Sequence, residues 1–364
     1  MKLIPRAVLS GPISLVHFIT KNCNARCTHC FIDFDDPETF KGELSTDEID
    51  KLTKTMGWQL RNVNLTGGEP FLRKDIFEIV RCYLANTGIR SIYITTNGYF
   101  TDRMRSFIEQ YLAAGYGRDH TLFFSVSVDG YPEAHDKNRK VNGLFERAMQ
   151  TLRMLNGYRD QRIYANANLT VIPANYLQMN EIYNYLIDKE GVRSFTTTIV
   201  REEGVTRIDP TLKAGLSRAY RNLNQRIKRD LFSGRIQGFE GTGLGDLVNA
   251  KNLVMHDQIE KAFETGEFVS TCYAGETSLV IEANGDVRPC EVLPNVIGNV
   301  RAVQYDLGAV WRSQTALQAR RFIVGTKCHC TYECAWSINT LVDARYYPRL
   351  AASLIQLKSK RLTA

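Results

Sequence analysis

Three cysteines near the start of the chain have the spacing of iron ligands. Cys23, Cys27 and Cys30 form a C-x3-C-x2-C motif in the segment KNCNARCTHCF, directly after a run of β-forming residues. Three thiolates on one short loop can hold three irons of a 4Fe-4S cluster and leave the fourth iron open to another ligand. Structural zinc usually takes four closed ligands, and His29 could supply the fourth, so a zinc site is the alternative. We expect an iron-sulfur site with one open iron.

A second group of cysteines lies in the last third of the chain. Its members form C-x12-G-x4-C followed by C-x-C-x3-C, at Cys272, Cys290, Cys328, Cys330 and Cys334. The chain has nine cysteines in all, and Cys82, alone in an amphipathic stretch, is interpreted as a packed helix residue. An odd number of clustered cysteines without a signal peptide favours metal thiolates over disulfides. The reducing compartment that this requires predicts a cytoplasmic protein.

The elements that must position these cysteines alternate regularly between two types. Six β-rich runs alternate with amphipathic segments, at residues 14–20, 63–67, 91–97, 122–130, 163–172 and 194–200. Such repeated βα units predict an α/β fold whose parallel sheet forms a partial (β/α)6 TIM-like barrel. Active sites of βα folds lie at the carboxyl ends of the strands, where the first cysteine group also falls.

The domain boundaries are predicted where this alternation of β-rich and amphipathic segments changes. We predict a barrel over residues 1–210, a helical linker region over 211–264, a Cys-rich α+β domain over 265–340 and an amphipathic helix over 341–364. The segment SLVIEANGDVRPC reads as a hairpin with Asn284-Gly285 at its turn. The basic end of the last helix permits membrane-surface contact as an alternative to packing on the barrel.

Further motifs stand at the ends of the predicted strands. They are Phe31 after the third cysteine, Gly67-Gly68-Glu69-Pro70, Thr96-Asn97-Gly98, the run from Ser125 to Gly130, and the charged run from His135 to Arg139. In this order, these motifs resemble the radical S-adenosylmethionine superfamily, and the second cysteine group resembles its SPASM/twitch extension. The alternative for the charged run is a solvated loop.

The resemblance implies a role for each motif. The methionine moiety of S-adenosylmethionine would chelate the open iron by its amino and carboxylate groups. The implied cofactor contacts are Phe31 beside adenine, Gly67-Gly68-Glu69-Pro70 at the methionine amino group, Asn97 and Ser127 at the ribose and methionine portions, and Asp129 with Arg139 at the methionine carboxylate.

The second cysteine group departs from the full SPASM pattern, which uses seven cysteines to hold two clusters. With five cysteines, the resemblance implies one auxiliary 4Fe-4S cluster. The preferred ligands are Cys272, Cys290, Cys330 and Cys334, with Cys328 exchanging for Cys330 or staying free. Zinc bound by four of the five is the alternative.

The implied chemistry starts with one electron from a flavodoxin- or ferredoxin-type donor. The electron cleaves S-adenosylmethionine, and the resulting 5′-deoxyadenosyl radical abstracts hydrogen from a substrate. Glu202 and Glu203, after the sixth predicted strand, are candidates for a base or a substrate-orienting group, with a solvated acidic turn as the alternative.

Substrate class is less constrained by the sequence. Only 22 residues precede Cys23, which leaves no room for a separate leader-peptide domain and favours a small polar metabolite such as a sugar, an aminocyclitol or a nucleotide-linked compound. Peptide modification is the second hypothesis, a lipid-linked substrate the third, and a non-enzymatic iron-sulfur or zinc module the fourth. The net charge of +7 suits an anionic partner, but without a basic-aromatic groove pattern it does not predict nucleic-acid binding.

Overall fold

A single mixed sheet organises the computed structural model, which describes residues 9–116, 119–202, 208–239 and 245–363. Within these residues nine strands follow the order β6-β5-β4-β3-β2-β1-β7-β8-β9. The strands are β1 (Ser14–Thr20), β2 (Asn62–Gly67), β3 (Ser91–Thr96), β4 (Thr121–Val128), β5 (Ile163–Val171), β6 (Phe195–Ile199), β7 (Ser278–Ile281), β8 (Asp286–Arg288) and β9 (Gly298–Asn299). The first six pair in parallel, each with its sequence neighbour. The predicted α/β fold with a partial barrel is confirmed.

Helices connect the strands and pack against the sheet. They are α1 (Thr46–Thr55), α2 (Ile76–Asn86), α3 (Thr101–Ala113), α4 (Pro132–Arg139), α5 (Leu144–Asn156), α6 (Met179–Asp188), α7 (Pro210–Ser233), α8 (Gly245–Thr265), α9 (Leu307–Arg312), α10 (Gln314–Gly325), α11 (Glu333–Val342) and α12 (Tyr347–Thr363). Local sequence sets several boundaries. Ser45 and Glu48 form a capping box at α1, and Asp209 caps α7 with Pro210 at its first position.

The two sides of the barrel sheet differ in polarity because side chains alternate along a strand. In β2, Val63 and Leu65 are buried in the main apolar core with the helices. The alternate residues Asn64 and Thr66 face the inner side. The core therefore lies between the sheet and its helices, and the inner side keeps hydrogen-bonding groups available.

The Cys-rich region continues the barrel sheet instead of forming a separate layer. Strand β7 pairs in parallel with β1, with Ser14 opposite Ser278. All seven residues of β1 are buried, since the strand has neighbours on both edges. The predicted hairpin is confirmed, because β7 pairs antiparallel with β8 and Gly285 has a φ of 87° at the turn.

The structure places two segments for which the sequence left an alternative open. The charged run after Gly130 forms α4, in which His135, Asn138 and Arg139 are buried, so it is not a solvated loop. The last helix, α12, packs against α8 and buries Leu350 and Leu357. Among the described residues, no helix combines the length and the apolar character that a membrane crossing requires.

Candidate functional site

A cavity of about 1340 Å³ runs along the inner side of the barrel sheet. Cys23, Cys27 and Cys30 line it at the carboxyl ends of the strands. Both Thr121 and Ser127 of β4 line it too, so it extends along seven residues of that strand, a span of about 20 Å at ~3.3 Å per step. Pockets for one small ligand have volumes of roughly 300–1,000 Å³. The cavity therefore has room for a cofactor and a second molecule.

The three-cysteine loop is built to keep its sulfurs at this mouth. The backbone N–H of Ala25 donates to Cys23 Sγ at 3.4 Å, and that of Ile32 donates to Cys30 Sγ at 3.5 Å. Burial raises the pKa of Cys23 to about 12 and that of Cys27 to about 11, with Arg139 opposing the shift at Cys27. Iron would replace the thiol protons. Three half-buried sulfurs with N–H donors are a donor set that fits a 4Fe-4S cluster with one open iron.

A buried ion pair lies directly behind the cysteine loop. Arg139 Nε donates to Asp129 Oδ2 at 2.7 Å, and both side chains are almost fully buried. Although burial opposes ionisation, the Arg139 guanidinium holds the pKa of the Asp129 carboxyl well below its usual range. The end of α4 also holds the loop through its backbone, since Arg26 N donates to Arg139 O and Thr28 N to Asn138 O. Arg139 lines the cavity, whereas Asp129 does not.

The Gly67-Gly68-Glu69-Pro70 segment holds the strand ends together. A Cβ atom added at Gly67 would lie 1.9 Å from Thr20 O, and one added at Gly68 would lie 2.0 Å from Asn22 O. Both glycines line the cavity, whereas Glu69 and Pro70 are buried and do not. The glycines thus permit the close approach of β2 to the start of the cysteine loop.

Glu69 is an internal hydrogen-bond acceptor. Its carboxylate accepts from Thr96 Oγ1 at 2.8 Å, from Asn97 N at 2.7 Å and from Phe71 N at 3.1 Å. Burial raises the pKa of Glu69 to about 6, against the effect of these donors. The carboxylate therefore fixes the end of β3 and the position of Asn97. The structure does not bring it to the cavity surface, where a direct contact with a methionine amino group would require it.

Other predicted cofactor contacts do reach the cavity. Asn97 and Ser127 both line it, and Asn97 Nδ2 donates to Asn24 Oδ1 at 2.8 Å within the cysteine loop. Phe31 lines the same mouth, is 41% exposed and meets Phe18 edge to face at 5.7 Å. An exposed aromatic ring beside the cysteines offers a stacking face.

Of the two acidic residues predicted after β6, the structure describes Glu202. Glu202 pairs with Lys213 at 2.8 Å and does not line the cavity, and Glu203 lies outside the described residues. The cavity is lined instead by Arg201, which pairs with Glu291 at 2.9 Å and with Glu333 at 3.3 Å. Sequence reasoning did not single out Glu291 or Glu333. The available signal was that each adjoins an auxiliary cysteine.

The second cysteine group divides between two cavities. All five sulfurs belong to or pack against one apolar cluster. Four of these residues line a small cavity there: Cys272, Cys290, Cys328 and Cys330. Cys334 lines the large cavity, where its sulfur accepts a hydrogen bond from Asn64 Nδ2 at 3.7 Å. Cys334 was a preferred ligand and Cys328 was not, so this arrangement differs from the sequence-based choice.

Trp336 lines the small cavity, and both Trp336 and Tyr273 form hydrogen bonds that fix their side chains. Trp336 Nε1 donates to Cys330 O at 2.8 Å, and the Tyr273 hydroxyl donates to Asp343 at 3.3 Å. Leu293 N also donates to Cys290 Sγ at 3.3 Å. Four cysteine sulfurs with an N–H donor and apolar walls fit a fully ligated iron-sulfur cluster.

Family comparisons agree with this architecture. The family model for the radical SAM superfamily matches residues 18–186, and the model for the SPASM iron-sulfur cluster-binding domain matches residues 272–335. The chain therefore belongs to the radical SAM superfamily and carries a SPASM domain. These domains imply a 4Fe-4S cluster with S-adenosylmethionine and an auxiliary iron-sulfur cluster, so the predicted family and cofactors are confirmed.

Curated relatives match part of their length. Fe-coproporphyrin III synthase of Methanosarcina barkeri is 31% identical over 173 residues, which are 47% of this chain and 40% of the relative. GTP 3′,8-cyclase of Cronobacter sakazakii is 42% identical over 114 residues, 30% of this chain and 32% of the relative. The chain thus spans less than half the length of these two enzymes.

Solved structures match over more of the chain. A structure of anSMEcpe with bound AdoMet has a TM-score of 0.62 at 16% identity and covers 97% of this chain and 98% of that one. SuiB of Streptococcus suis bound to the precursor peptide SuiA has a TM-score of 0.59 at 18% identity and covers 87% of this chain and 68% of that one. These likenesses show the fold.

Proposed function

We propose that this protein is a radical S-adenosylmethionine enzyme that abstracts hydrogen from a small molecule held in the large cavity. One observation carries the proposal: the three cluster cysteines and the hydrogen-bonding inner face of the barrel line a single continuous cavity. When bound, the cluster and S-adenosylmethionine would supply a 5′-deoxyadenosyl radical. A flavodoxin- or ferredoxin-type protein is the proposed electron donor.

The chain's own residues divide into contact and positioning groups. Phe31, Asn97, Ser127 and Arg139 line the cavity and are the proposed cofactor contacts. Glu69 and Asp129 act through them, by fixing Asn97 and Arg139 respectively. The backbone of Gly67 and Gly68 borders the cavity as well. A cofactor bound here would lie between strand ends that are already fixed by internal hydrogen bonds.

The proposed auxiliary ligands are Cys272, Cys290, Cys328 and Cys330. Their shared cavity supports this set over one that includes Cys334. For the proton that leaves an oxidised substrate, Glu333 is a better candidate than Glu202. Glu333 lines the cavity, and although its Oε2 pairs with Arg201, its Oε1 is buried with no hydrogen-bond partner among the described residues. Glu202 pairs with Lys213 and does not line the cavity.

Peptide modification is the second candidate function, favoured by the likeness to SuiB bound to its precursor peptide. The two functions can be separated with whole-cell extract. Reconstituted enzyme with dithionite and S-adenosylmethionine is mixed with a dialysable fraction, with or without protease treatment, and deoxyadenosine is measured. A small-molecule enzyme is stimulated equally by both preparations, whereas a peptide enzyme loses the stimulation after protease treatment.

The radical chemistry has its own test. Anaerobic reconstitution should give about eight irons per chain, and Cys290→Ala should remove about half of them. Cys27→Ala should abolish deoxyadenosine formation. A fully loaded wild-type enzyme that forms no deoxyadenosine would overturn the proposal.

A further inference from the structure

Helices α8 and α11 close the inner side of the barrel, and one stripe of residues along each helix lines the cavity. The cavity-lining positions recur at the spacing of a single helix face, namely Leu247, Val248 and Lys251 on α8 and Ser337, Ile338 and Leu341 on α11. These side chains are neither fully buried nor exposed on the outer surface. A molecule in the cavity would cover them.

The stripe on α11 changes from polar to apolar along the barrel axis. Its first residue, Glu333, meets Arg201 at the carboxyl end of β6. At the other end, Asp343 accepts from the hydroxyl of Tyr273, shortly before the start of β7. The helix therefore runs from the carboxyl ends of the parallel strands towards their amino ends. The residues lining the cavity in its second half are Ile338, Leu341 and Val342.

Lys251 places a positive charge beside this apolar surface. Its Nζ donates to Ser337 Oγ at 2.8 Å, and no carboxylate of the described residues forms an ion pair with it. By contrast, Arg139 and Arg201, which line the same cavity, are both paired with carboxylates, and Arg61, which also lines it, donates to the backbone carbonyls of Leu60 and Gly88. Burial lowers the pKa of Lys251 to about 8, which an anion bound next to it would reverse.

We infer that the cavity binds an amphipathic anion, with its carboxylate or phosphate group on Lys251 and its apolar body along Ile338, Leu341 and Val342. This substrate class rests on the proposed function, which places the reacting carbon near the three-cysteine loop. It replaces the expected small polar metabolite, because a sugar would leave the apolar wall of α11 uncovered. The headgroup chemistry is shared by carboxylates and phosphate monoesters, and the test separates them.

Binding is measured by anaerobic calorimetry on the reconstituted enzyme with S-adenosylmethionine and without reductant. The probes are butanoate, hexanoate and octanoate, with octyl phosphate and octanamide as the headgroup comparisons. Burial of each added methylene should lower Kd about fourfold. Octanamide should bind at least about tenfold more weakly than the better of the two octyl anions, since it lacks the charge.

Two variants and one control locate the site. Lys251→Met should weaken the anions about tenfold and leave octanamide unchanged, and Lys251→Arg should restore binding. Leu341→Ser should flatten the chain-length series. Lys213→Met, whose lysine pairs with Glu202 outside the cavity, is the matched control. Iron content confirms folding of each variant.

A flat chain-length series for wild type, or equal binding of octanamide and the anions, would overturn the inference. Because the binding assays use no reductant, their outcome does not depend on deoxyadenosine formation. Binding can be lost while deoxyadenosine formation is normal, and deoxyadenosine formation can be lost while binding is normal. Failure of the substrate class is therefore distinguishable from failure of the radical chemistry.

Discussion

Gly68 is the position where a single added carbon should disable the cluster loop. An alanine Cβ there would lie 2.0 Å from Asn22 O, 2.5 Å from Asn22 C and 2.8 Å from Lys21 O. All three are backbone atoms next to Cys23, so no flexible side chain can move aside. Relieving the shortest contact to 3.0 Å requires a shift of about 1 Å between β2 and the loop, since non-bonded heavy atoms repel steeply below their optimal separation.

The consequences of such a shift can be estimated. Overpacking of this kind costs about 1–3 kcal/mol of unfolding free energy. A misplacement of about 1 Å in a catalytic constellation can lower the rate about 100-fold. We therefore expect Gly68→Ala to reduce both the iron bound at the first site and the deoxyadenosine formed with dithionite, the latter about 100-fold.

The assay compares Gly68→Ala with Gly325→Ala, both reconstituted anaerobically. Gly325 ends α10, and a Cβ there would meet no atom within 4 Å. The control should keep wild-type iron content, thermal stability and deoxyadenosine formation. Wild-type values for Gly68→Ala in all three measurements would refute the argument that this glycine sets the distance between the strand end and the cysteine loop.

Further predictions concern the auxiliary site, the buried acid and the sheet extension. Cys328→Ser should remove about four irons while Cys334→Ser keeps them, and equal iron loss in both would contradict the ligand assignment. Burial raises the pKa of Glu69 to about 6, so its ionisation destabilises the folded state. In thermal unfolding, the melting temperature of the cluster-free wild type should therefore fall relative to that of Glu69→Gln as the pH rises from about 4.5 through 6. Arg301→Ala should lower the unfolding free energy by about 1 kcal/mol by breaking its bonds to the partly exposed Glu48, whereas Arg312→Ala, at an exposed pair of 3.8 Å, should cost almost nothing in the same denaturant titration.

The barrel could be predicted because its signals are local. Strand β1 occupies the predicted residues, and β2 to β6 begin or end within two residues of theirs, since alternating and buried apolar runs are visible in a short window. The pairing of β7 with β1 could not be read in this way. It joins residues more than 260 positions apart, and no local pattern specifies which edge a late strand will extend.

The division of the second cysteine group was hidden for a related reason. Spacing alone makes Cys328, Cys330 and Cys334 equivalent candidates. The structure separates them because α11 begins at Glu333, so Cys334 lies on the helix face that looks into the barrel while the other two precede the helix. A helix start without a side-chain cap, as at Tyr332, gives the sequence no signal for this boundary.

The motif residues around the first site form hydrogen bonds to the cysteine loop and so fix its position. Gly68 N and Glu69 N donate to Thr20 O and Asn22 O, and Arg26 N donates to Arg139 O, so the loop is held by backbone bonds from two motifs on opposite sides. A side-chain change that disturbs either motif moves the sulfurs. Iron loading should therefore fall together with S-adenosylmethionine affinity in such variants, whereas a variant of Ser127, which is proposed to contact only the cofactor, should lose affinity and keep its iron.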